Sequence, residues 1–330
     1  MTEGFAYIFA RRNTSIAEGN RELYNGSMAD HIMRRVLVLA NPRSGVAWSF
    51  DSIRRGMDTH WESTSDVCYQ FTQGVEDALE KAQRAVDGGF DTILVLGGDG
   101  TVNTVGRILL NTEVSLGVIP VGSGNGFARH FNIPLDPERA VEALAGAAVK
   151  RIDVGLVNDK PFLVTCSMAW DASLVRSFNK YPVRGVLPYV FAGVQEFFDF
   201  RPQPMEAVLD GGESLMLQDA MVCTVANLSQ FGGGARIAPQ AQHDDGWLEL
   251  VVAMKQDAPV LFANILRLFD GSLSSVPQVT TRRFRTLTVR RQETAPIQID
   301  GELVEVGRDV EVRVLPASLR VLVPSNAARV

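Results

Sequence analysis

The sequence predicts an α/β domain built on a parallel sheet with crossover helices, followed by an antiparallel β-sandwich domain. Three observations predict it. Short apolar runs alternate with helix-period segments from residue 34 to about 155. Gly-rich loops follow two of those apolar runs directly. Beyond about Lys150 the texture turns to period-two alternation, with Val310, Val312 and Val314 set against Glu311 and Arg313. A chain of 330 residues has room for both domains.

Residues 1–33 mix Asn, Ser, Gly and charge with little periodicity, and read as a weakly ordered extension or as sequence ahead of a start at Met28 or Met33. Val36-Leu37-Val38-Leu39 has the look of a buried strand and ends at Asn41-Pro42, where proline restricts the preceding residue to extended backbone. Val75, Ala78, Leu79, Ala82 and Val86 fall on one helical face, and Gly88-Gly89 closes that helix. Ile93 to Leu96 is a second buried strand, and Val102, Val105 and Leu109 resume helical spacing after it. Leu116 to Ile119 is a third strand. Asp136 and Pro137 fit the N-cap and first position of another helix through Leu144. This domain spans 34–155. A sandwich is predicted over 156–307 from β-rich segments at 151–157, 161–168, 205–210, 215–226, 247–254, 284–291 and 296–306, with helices only at 183–199 and 257–270. Strands at 309–315 and 319–323 lie in a tail, 308–330, that is free to return to the first domain.

Composition narrows the function classes. Hydrophobic residues make up 46% and charged residues 21%, enough apolar material for full cores. A net charge of -6 argues against a nucleic-acid binder that relies on a basic field. Cys68, Cys166 and Cys223 lie far apart and His31, His60, His130 and His243 are scattered, so neither a disulfide framework nor a zinc site is predicted. No apolar run reaches the roughly 18–20 residues of a membrane-spanning helix. The opening MTEGFAYIFARR sets its apolar patch before its arginines, the reverse of a secretory signal.

The chemistry concentrates in loops at strand ends. Gly97-Gly98-Asp99-Gly100-Thr101 joins a buried strand to a helix, where backbone N–H groups and the helix N-terminus suit an anion. An acid among phosphates is explained by a Mg²⁺ between them or by a proton to be moved, so Asp99 is a candidate for metal binding and for catalysis. Gly122-Ser123-Gly124-Asn125-Gly126 repeats the arrangement after the next strand, with Arg129 one turn into the following helix. Asn41-Pro42-Arg43-Ser44-Gly45 follows the first strand. Three polar loops on one edge of a parallel sheet meet where such sheets bind ligands. For any one loop the alternative is a turn that merely joins strand to helix. Nothing matches GxxxxGK[ST].

Asn41–Gly45 (NPRSG), Gly97–Thr101 (GGDGT) and Pro120–Arg129 (PVGSGNGFAR) resemble the motifs of the diacylglycerol kinase catalytic-domain family, whose superfamily includes bacterial soluble lipid kinases, sphingosine kinases and ceramide kinase. The likeness continues through Arg151–Gly155 (RIDVG), Ser167–Ala172 (SMAWDA), Asn227–Leu250 (NLSQFGGGARIAPQAQHDDGWLEL) and Ile299–Glu302 (IDGE), over about 34–324. It implies a fold of NAD-kinase/phosphofructokinase type with ATP between an α/β domain and a β-sandwich. By that mapping Asn41, Arg43, Ser44, Gly97, Gly98, Gly100, Thr101, Gly122, Ser123, Gly124, Asn125 and Arg129 surround the nucleotide. Asp99 belongs to the nucleotide and magnesium network, Glu302 matches the general base on the lipid hydroxyl, and Asp245 matches a ligand of a structural Mg²⁺. The implied cofactors are ATP and Mg²⁺, and the implied partner is a lipid substrate at the membrane surface, with no nucleic acid. The implied location is cytoplasmic and peripheral at the inner membrane surface. A homodimer through a sandwich edge strand is compatible with this plan.

Several positions depart from the family pattern. The helix after GGDGT carries Asn103-Thr104 where the family often has Asn-Glu, the second loop has Ser123 and Gly126, and Ala169-Trp170-Asp171 stands for the more usual Gly-Phe-Asp. A diacylglycerol-like glycerolipid is the first reading of the substrate and a sphingoid base or ceramide the second, with Asp171 the candidate to meet a headgroup. Two further readings are an NAD-kinase-like enzyme on a soluble substrate, whose second motif is not found, and a degenerate ATP- or lipid-binding regulator. Asp300-Gly301 also suits a tight hairpin, and Asp244-Asp245-Gly246 a solvated turn. The aromatic stretch Leu187, Tyr189, Phe191, Val194, Phe197, Phe198 and Phe200 reads as an acyl-chain groove or as a buried helix. Arg282, Arg283, Arg285, Arg290 and Arg291 read as a headgroup-binding cluster or as an exposed strand face.

Overall fold

The computed structural model describes residues 33–44, 48–170, 172, 200–230, 233–256, 260, 264 and 266–325. The α/β domain begins with β1 (Arg34–Ala40), α1 (Phe50–His60) and β2 (Ser65–Phe71). It continues through α2 (Val75–Asp87), β3 (Thr92–Gly97), α3 (Asp99–Leu109), β4 (Ser115–Pro120), α4 (Gly126–His130) and α5 (Pro137–Ala145). Strands β2-β1-β3-β4 pair in parallel in that order. β3 and β4 are buried along their whole lengths, which is why their sequences are continuous apolar runs. Local signals set the helix ends. The Asp136 carboxylate accepts from Arg139 N at 2.9 Å at the start of α5, and Gly88 caps α2. The buried face of α2 is Ala78, Ala82 and Ala85, while Val75, expected on that face, is 54% exposed.

The sandwich comprises β5 (Ala148–Val157), β6 (Lys160–Phe162), β7 (Thr165–Ser167), β8 (Met205–Leu209), β9 (Glu213–Leu217), β10 (Ala220–Ala226) and β11 (Leu248–Met254). A short helix α6 (Arg267–Asp270) precedes β12 (Val279–Phe284), β13 (Thr286–Arg291), β14 (Ile297–Ile299), β15 (Glu302–Val304) and β16 (Asp309–Val323). One sheet is antiparallel in the order β12-β11-β10-β7-β14-β15. It faces β8, β13, β16 and β5 across a shared core that includes Ala207, Leu287, Val289 and Val312 on one side and Cys223, Val225, Leu250 and Ile299 on the other.

β5 and β16 carry the chain between the two domains. Arg313 to Leu315 pair with Val154 to Leu156 beside the sandwich, and Leu319 to Val323 pair with Ala148 to Ile152 beside β4. A bulge between Leu315 and Leu319 separates the halves. Ala317 sits there at φ 48°, and its N–H donates to Asp153 Oδ1 at 2.8 Å. The other Asp153 oxygen accepts from Gly246 N at 2.6 Å. The Asp of RIDVG thus fills the bulge that lets one strand serve two sheets. The Gly of RIDVG has a different reason: Phe162 packs over it, and a Cβ on Gly155 would lie 2.0 Å from the ring.

Candidate active site

The three loops do meet at the carboxyl edge of the parallel sheet. Asn41 donates from Nδ2 to Thr101 Oγ1 at 3.0 Å and accepts from Arg43 N at 3.0 Å, linking the loop after β1 to the loop after β3. The loops after β3 and β4 touch through glycine. A Cβ on Gly122 would stand 2.6 Å from Gly98 Cα, so no side chain fits between the two backbones. Gly100 faces open space, with nothing within 4 Å of an added Cβ. Ser123 and Arg43 are exposed, and Ser44 is half-buried.

Asp99 stands at the centre of this arrangement, as the first residue of α3. Its Oδ2 accepts from Gly126 N at 3.0 Å and its Oδ1 from Phe127 N at 3.1 Å, tying the start of α4 to the loop after β3. Burial pushes this carboxyl up, and the backbone amides together with the Arg129 charge pull it back. A carboxylate has about four lone-pair sites, so room for a further partner remains after the amides of Asn125, Gly126 and Phe127. Asn125 is more confined. In left-handed backbone at φ 51°, its Oδ1 accepts from Gly122 N at 3.0 Å and its Nδ2 donates to Gly122 O at 2.8 Å. Its amide closes its own loop. Arg129 donates from Nε to Gly124 O at 3.1 Å.

The sandwich brings its acidic hairpin to this edge. Asp300 and Gly301 link β14 to β15 with φ 45° and 91°, the signature of a two-residue type I′ turn. The Asp300 carboxylate accepts from the successive amides of Leu163 (2.6 Å), Val164 (2.9 Å) and Thr165 (2.8 Å). Asn103 Nδ2 of α3 also donates to it. Burial pushes this carboxyl up to about 6 against those four hydrogen bonds. Asn103 lies one turn after Asp99, so the helix that starts in GGDGT holds the tip of the IDGE hairpin. Glu302 follows directly, exposed, and in register with Ile299. It shares a strand face with Val304, which packs on the sandwich core, so it stands at the rim of the space between the sheets.

Two family models match the chain: the diacylglycerol kinase catalytic domain over residues 35–157, and the YegS C-terminal NAD kinase beta sandwich-like domain over residues 165–323. A diacylglycerol kinase of Mycobacterium tuberculosis (strain CDC 1551 / Oshkosh) is 29% identical over 311 residues, covering 91% of this chain and 99% of that protein. The chain belongs to the diacylglycerol kinase catalytic-domain family. This is a phosphotransferase family. A crystal structure of a diacylglycerol kinase from Bacillus anthracis str. Sterne shares the fold at TM-score 0.69 and 19% identity, covering 90% of this chain and 99% of that one. An NAD kinase from Archaeoglobus fulgidus in complex with ATP aligns at TM-score 0.51 and 12% identity, covering 89% and 95%.

Other family positions take roles the sequence did not foretell. Asp245, matched to a structural Mg²⁺ ligand, pairs with the Arg283 guanidinium, and Arg283 Nε lies 3.5 Å from Glu249 Oε1. No group of three His, Cys, Asp or Glu side chains fit for a metal exists among the described residues. The remaining arginines do not form one patch: Arg282 pairs with Glu213 at 3.1 Å, Arg290 with Glu206 at 3.2 Å, Arg285 stacks 4.5 Å over Trp247, and Arg291 is buried. Asp171 and the aromatic stretch 187–198 lie outside the described residues, while Phe200 packs against the sandwich core. Sequence reasoning missed the contact of Asn103 with Asp300. Asn103 is a polar residue of α3 buried at 4% exposure, and helical spacing places it one turn after Asp99. Sequence reasoning also missed a histidine pair, His130 and His243, bonded at 3.0 Å beside the second loop.

Proposed function

We propose that the chain transfers the γ-phosphate of ATP to the hydroxyl of a diacylglycerol-like glycerolipid. The observation that carries this reading is the Asn103–Asp300 contact, which sets the hairpin bearing Glu302 against the helix that opens in the Gly-rich loop. An acceptor hydroxyl between the two would have a carboxylate on one side and anion-binding backbone on the other, the two needs of phosphoryl transfer.

The nucleotide's phosphates fit the open side of the loop at Gly100, with Thr101, Ser44, Ser123 and Arg129 as flanking donors. Asn41, Gly97, Gly98, Gly122, Gly124 and Asn125 shape that edge by holding the loops together, and Arg43 stands exposed at its margin. Mg²⁺ accompanying ATP neutralises phosphate charge, and the remaining lone pairs of Asp99 suit it. Glu302, at the rim, accepts the proton of the lipid hydroxyl as the new P–O bond forms. Asp300 and Asn103 position that hairpin. No helix among the described residues is long and apolar enough to cross a membrane, so in this reading the lipid is met at the membrane surface. Asp171 remains the candidate for the headgroup.

Labelled γ-phosphate transfer from Mg²⁺-ATP to diacylglycerol, monoacylglycerol, sphingosine and ceramide in mixed micelles tests this. A labelled diacylglycerol product is expected. Label on sphingosine or ceramide alone would replace the glycerolipid by a sphingolipid, and no label on any lipid would overturn the reading.

A further inference from the structure

The glycine-rich segment that leans on the loop after β4 runs on to an exposed apolar turn. Gly233 N donates to Gly124 O at 3.1 Å, and three residues later Arg236 N donates to Leu268 O at 2.6 Å. Three residues of chain span at most about 11 Å, so α6 lies close to that loop. Within the turn the apolar side chains divide. Leu268 packs with Leu273 against a cluster of Ile237, Ala238 and Val251, which fixes the turn to the sandwich. Leu266 and Phe269, on either side of Leu268 in the chain, are 70% and 50% exposed. Val260, a few residues earlier, is exposed as well.

Exposed apolar residues are ordinary when single, and Leu135, Val149 and Met216 each stand on a separate segment. A Leu and a Phe raised together on one turn need a reason. Their neighbours are cationic. Arg267 Nε donates to Asn264 Oδ1 at 3.1 Å and its Nη1 to Ser275 Oγ at 2.7 Å, while Asn264 Nδ2 donates to Val260 O at 3.0 Å. At the other end of α6, the Arg236 guanidinium lies 3.6 Å from where a Cβ on Gly271 would stand. Neither guanidinium forms an ion pair among the described residues. Asp270 is the acid of this turn, and its Oδ1 is taken by the N–H and hydroxyl of Ser272. Two cations thus flank two exposed apolar side chains on a chain whose net charge is -6. An acidic molecule is repelled by an anionic surface at large and approaches it by the edge where cations and apolar groups coincide.

We propose that Leu266 and Phe269, flanked by Arg236 and Arg267, form the surface by which the protein docks on an anionic bilayer. The two apolar side chains enter the boundary between headgroups and acyl chains, and the guanidiniums meet lipid phosphates. The choice of a bilayer over another apolar partner rests on the lipid kinase reading above. Because residues 233–236 tie the turn to the loop after β4, docking sets the glycine-rich edge beside the lipid surface. The arrangement is indifferent to which lipid is phosphorylated.

Co-sedimentation with vesicles, in the absence of ATP and diacylglycerol, tests this. Vesicles of phosphatidylcholine alone and of phosphatidylcholine with phosphatidylglycerol are compared for wild type, the double variant Leu266→Ser, Phe269→Ser, and Arg236→Gln. The wild type is expected to bind the phosphatidylglycerol vesicles more tightly, and rising salt to weaken that binding. The double variant is expected to lose at least about tenfold on these vesicles. Arg236→Gln is expected to lose about fivefold on them and nothing on phosphatidylcholine. Wild-type binding to neither vesicle overturns the proposal, as does equal binding of phosphatidylglycerol vesicles by wild type and either variant. A wild-type dimer that the double variant loses, with no vesicle binding, would overturn it by giving the turn to a second copy. Should the double variant fail to fold, hydrogen exchange on the wild type decides. Vesicles are expected to protect the amides of 266–270, and protection only elsewhere overturns the docking site. Docking through this turn with no phosphate transfer to lipid would leave the surface in its role and sink the kinase reading instead.

Discussion

His130 shows how far a single side chain is fixed by its surroundings. Ser229 N donates to its Nδ1 at 3.2 Å, so that nitrogen carries no proton. The hydrogen sits on Nε2 and is donated to His243 Nδ1 at 3.0 Å, which places the hydrogen of His243 on its own Nε2, 3.9 Å from Asp244. Neither ring can take a second proton without breaking the chain. Burial accordingly pushes His130 down to about 3, and His243 is lowered for the same reason. The unfolded chain binds a proton at His130 below about pH 6.5 while the folded one does not, so stability falls as pH drops through the window from about 6.5 towards 3. The slope is up to about 1.4 kcal/mol per pH unit for this group. Denaturant midpoints from pH 7.5 to 5 should fall less steeply in His130→Gln than in the wild type. Parallel slopes would show that the pair is not kept neutral. None of this was legible from four scattered histidines, because His130 and His243 stand far apart in the chain and only the fold joins them.

At the level of elements, the sequence announced what is buried on both sides and hid what is half-exposed. β1, β3 and β4 are continuous apolar runs and were readable as strands. β2, the edge of the sheet, is half-buried along Val67 to Gln70 with no alternation, and α1 buries only Ile53 and Met57, so neither stood out. β12 was missed because its Thr and Arg residues are polar and only half-buried or exposed, with Phe284 its one fully buried residue. The β-rich segments at 161–168, 215–226 and 296–306 each hold two strands, parted at Leu163-Val164, Gln218-Asp219 and Asp300-Gly301, the last at the hairpin turn the sequence offered. In the last case the turn is itself part of the site. Helical period at 257–270 is met by α6 at its end, and most of the remaining positions lie outside the described residues. β5 yields the sharpest prediction at this scale. Gly155 opposes Phe162 in register, and the ring lies where a Cβ would be. Gly155→Ala should cost about 1–3 kcal/mol, the range for overpacking a filled core, read as a lower denaturation midpoint. An unchanged midpoint would mean that the ring moves aside freely.

Across the whole molecule, the two domains share a sheet and an apolar core that takes in Leu163, Val164 and Leu228, and a few buried polar residues fix the junction. Asp153 ties β5 to the β16 bulge and to the 244–247 turn, Asn227 Nδ2 donates to Asp153 O and Leu163 O at 2.9 and 2.8 Å, and Asp300 ties the hairpin to α3. Asp153 and Asp300 accept from amides of neighbouring turns and strands that would be left unpaired without them, and Asn227 supplies a donor to two buried carbonyls. The glycine-rich loops and Asp99 were legible from spacing, and Glu302 from the family resemblance of IDGE. Which acid does what was not: Asp99 is engaged by the amides of α4, and the hairpin's own Asp300 is the group that reaches across. That division sets the central claim, that Glu302 is the base and that the loops bind ATP without it. The most direct measurement is a single-turnover transfer of labelled γ-phosphate to diacylglycerol by wild type and Glu302→Gln, with ATP affinity measured on the same samples. The account predicts a rate lower by about 10²–10⁴ with ATP affinity within a few-fold, since only the proton acceptor is lost. Full turnover in Glu302→Gln, or loss of ATP binding together with the rate, would contradict it.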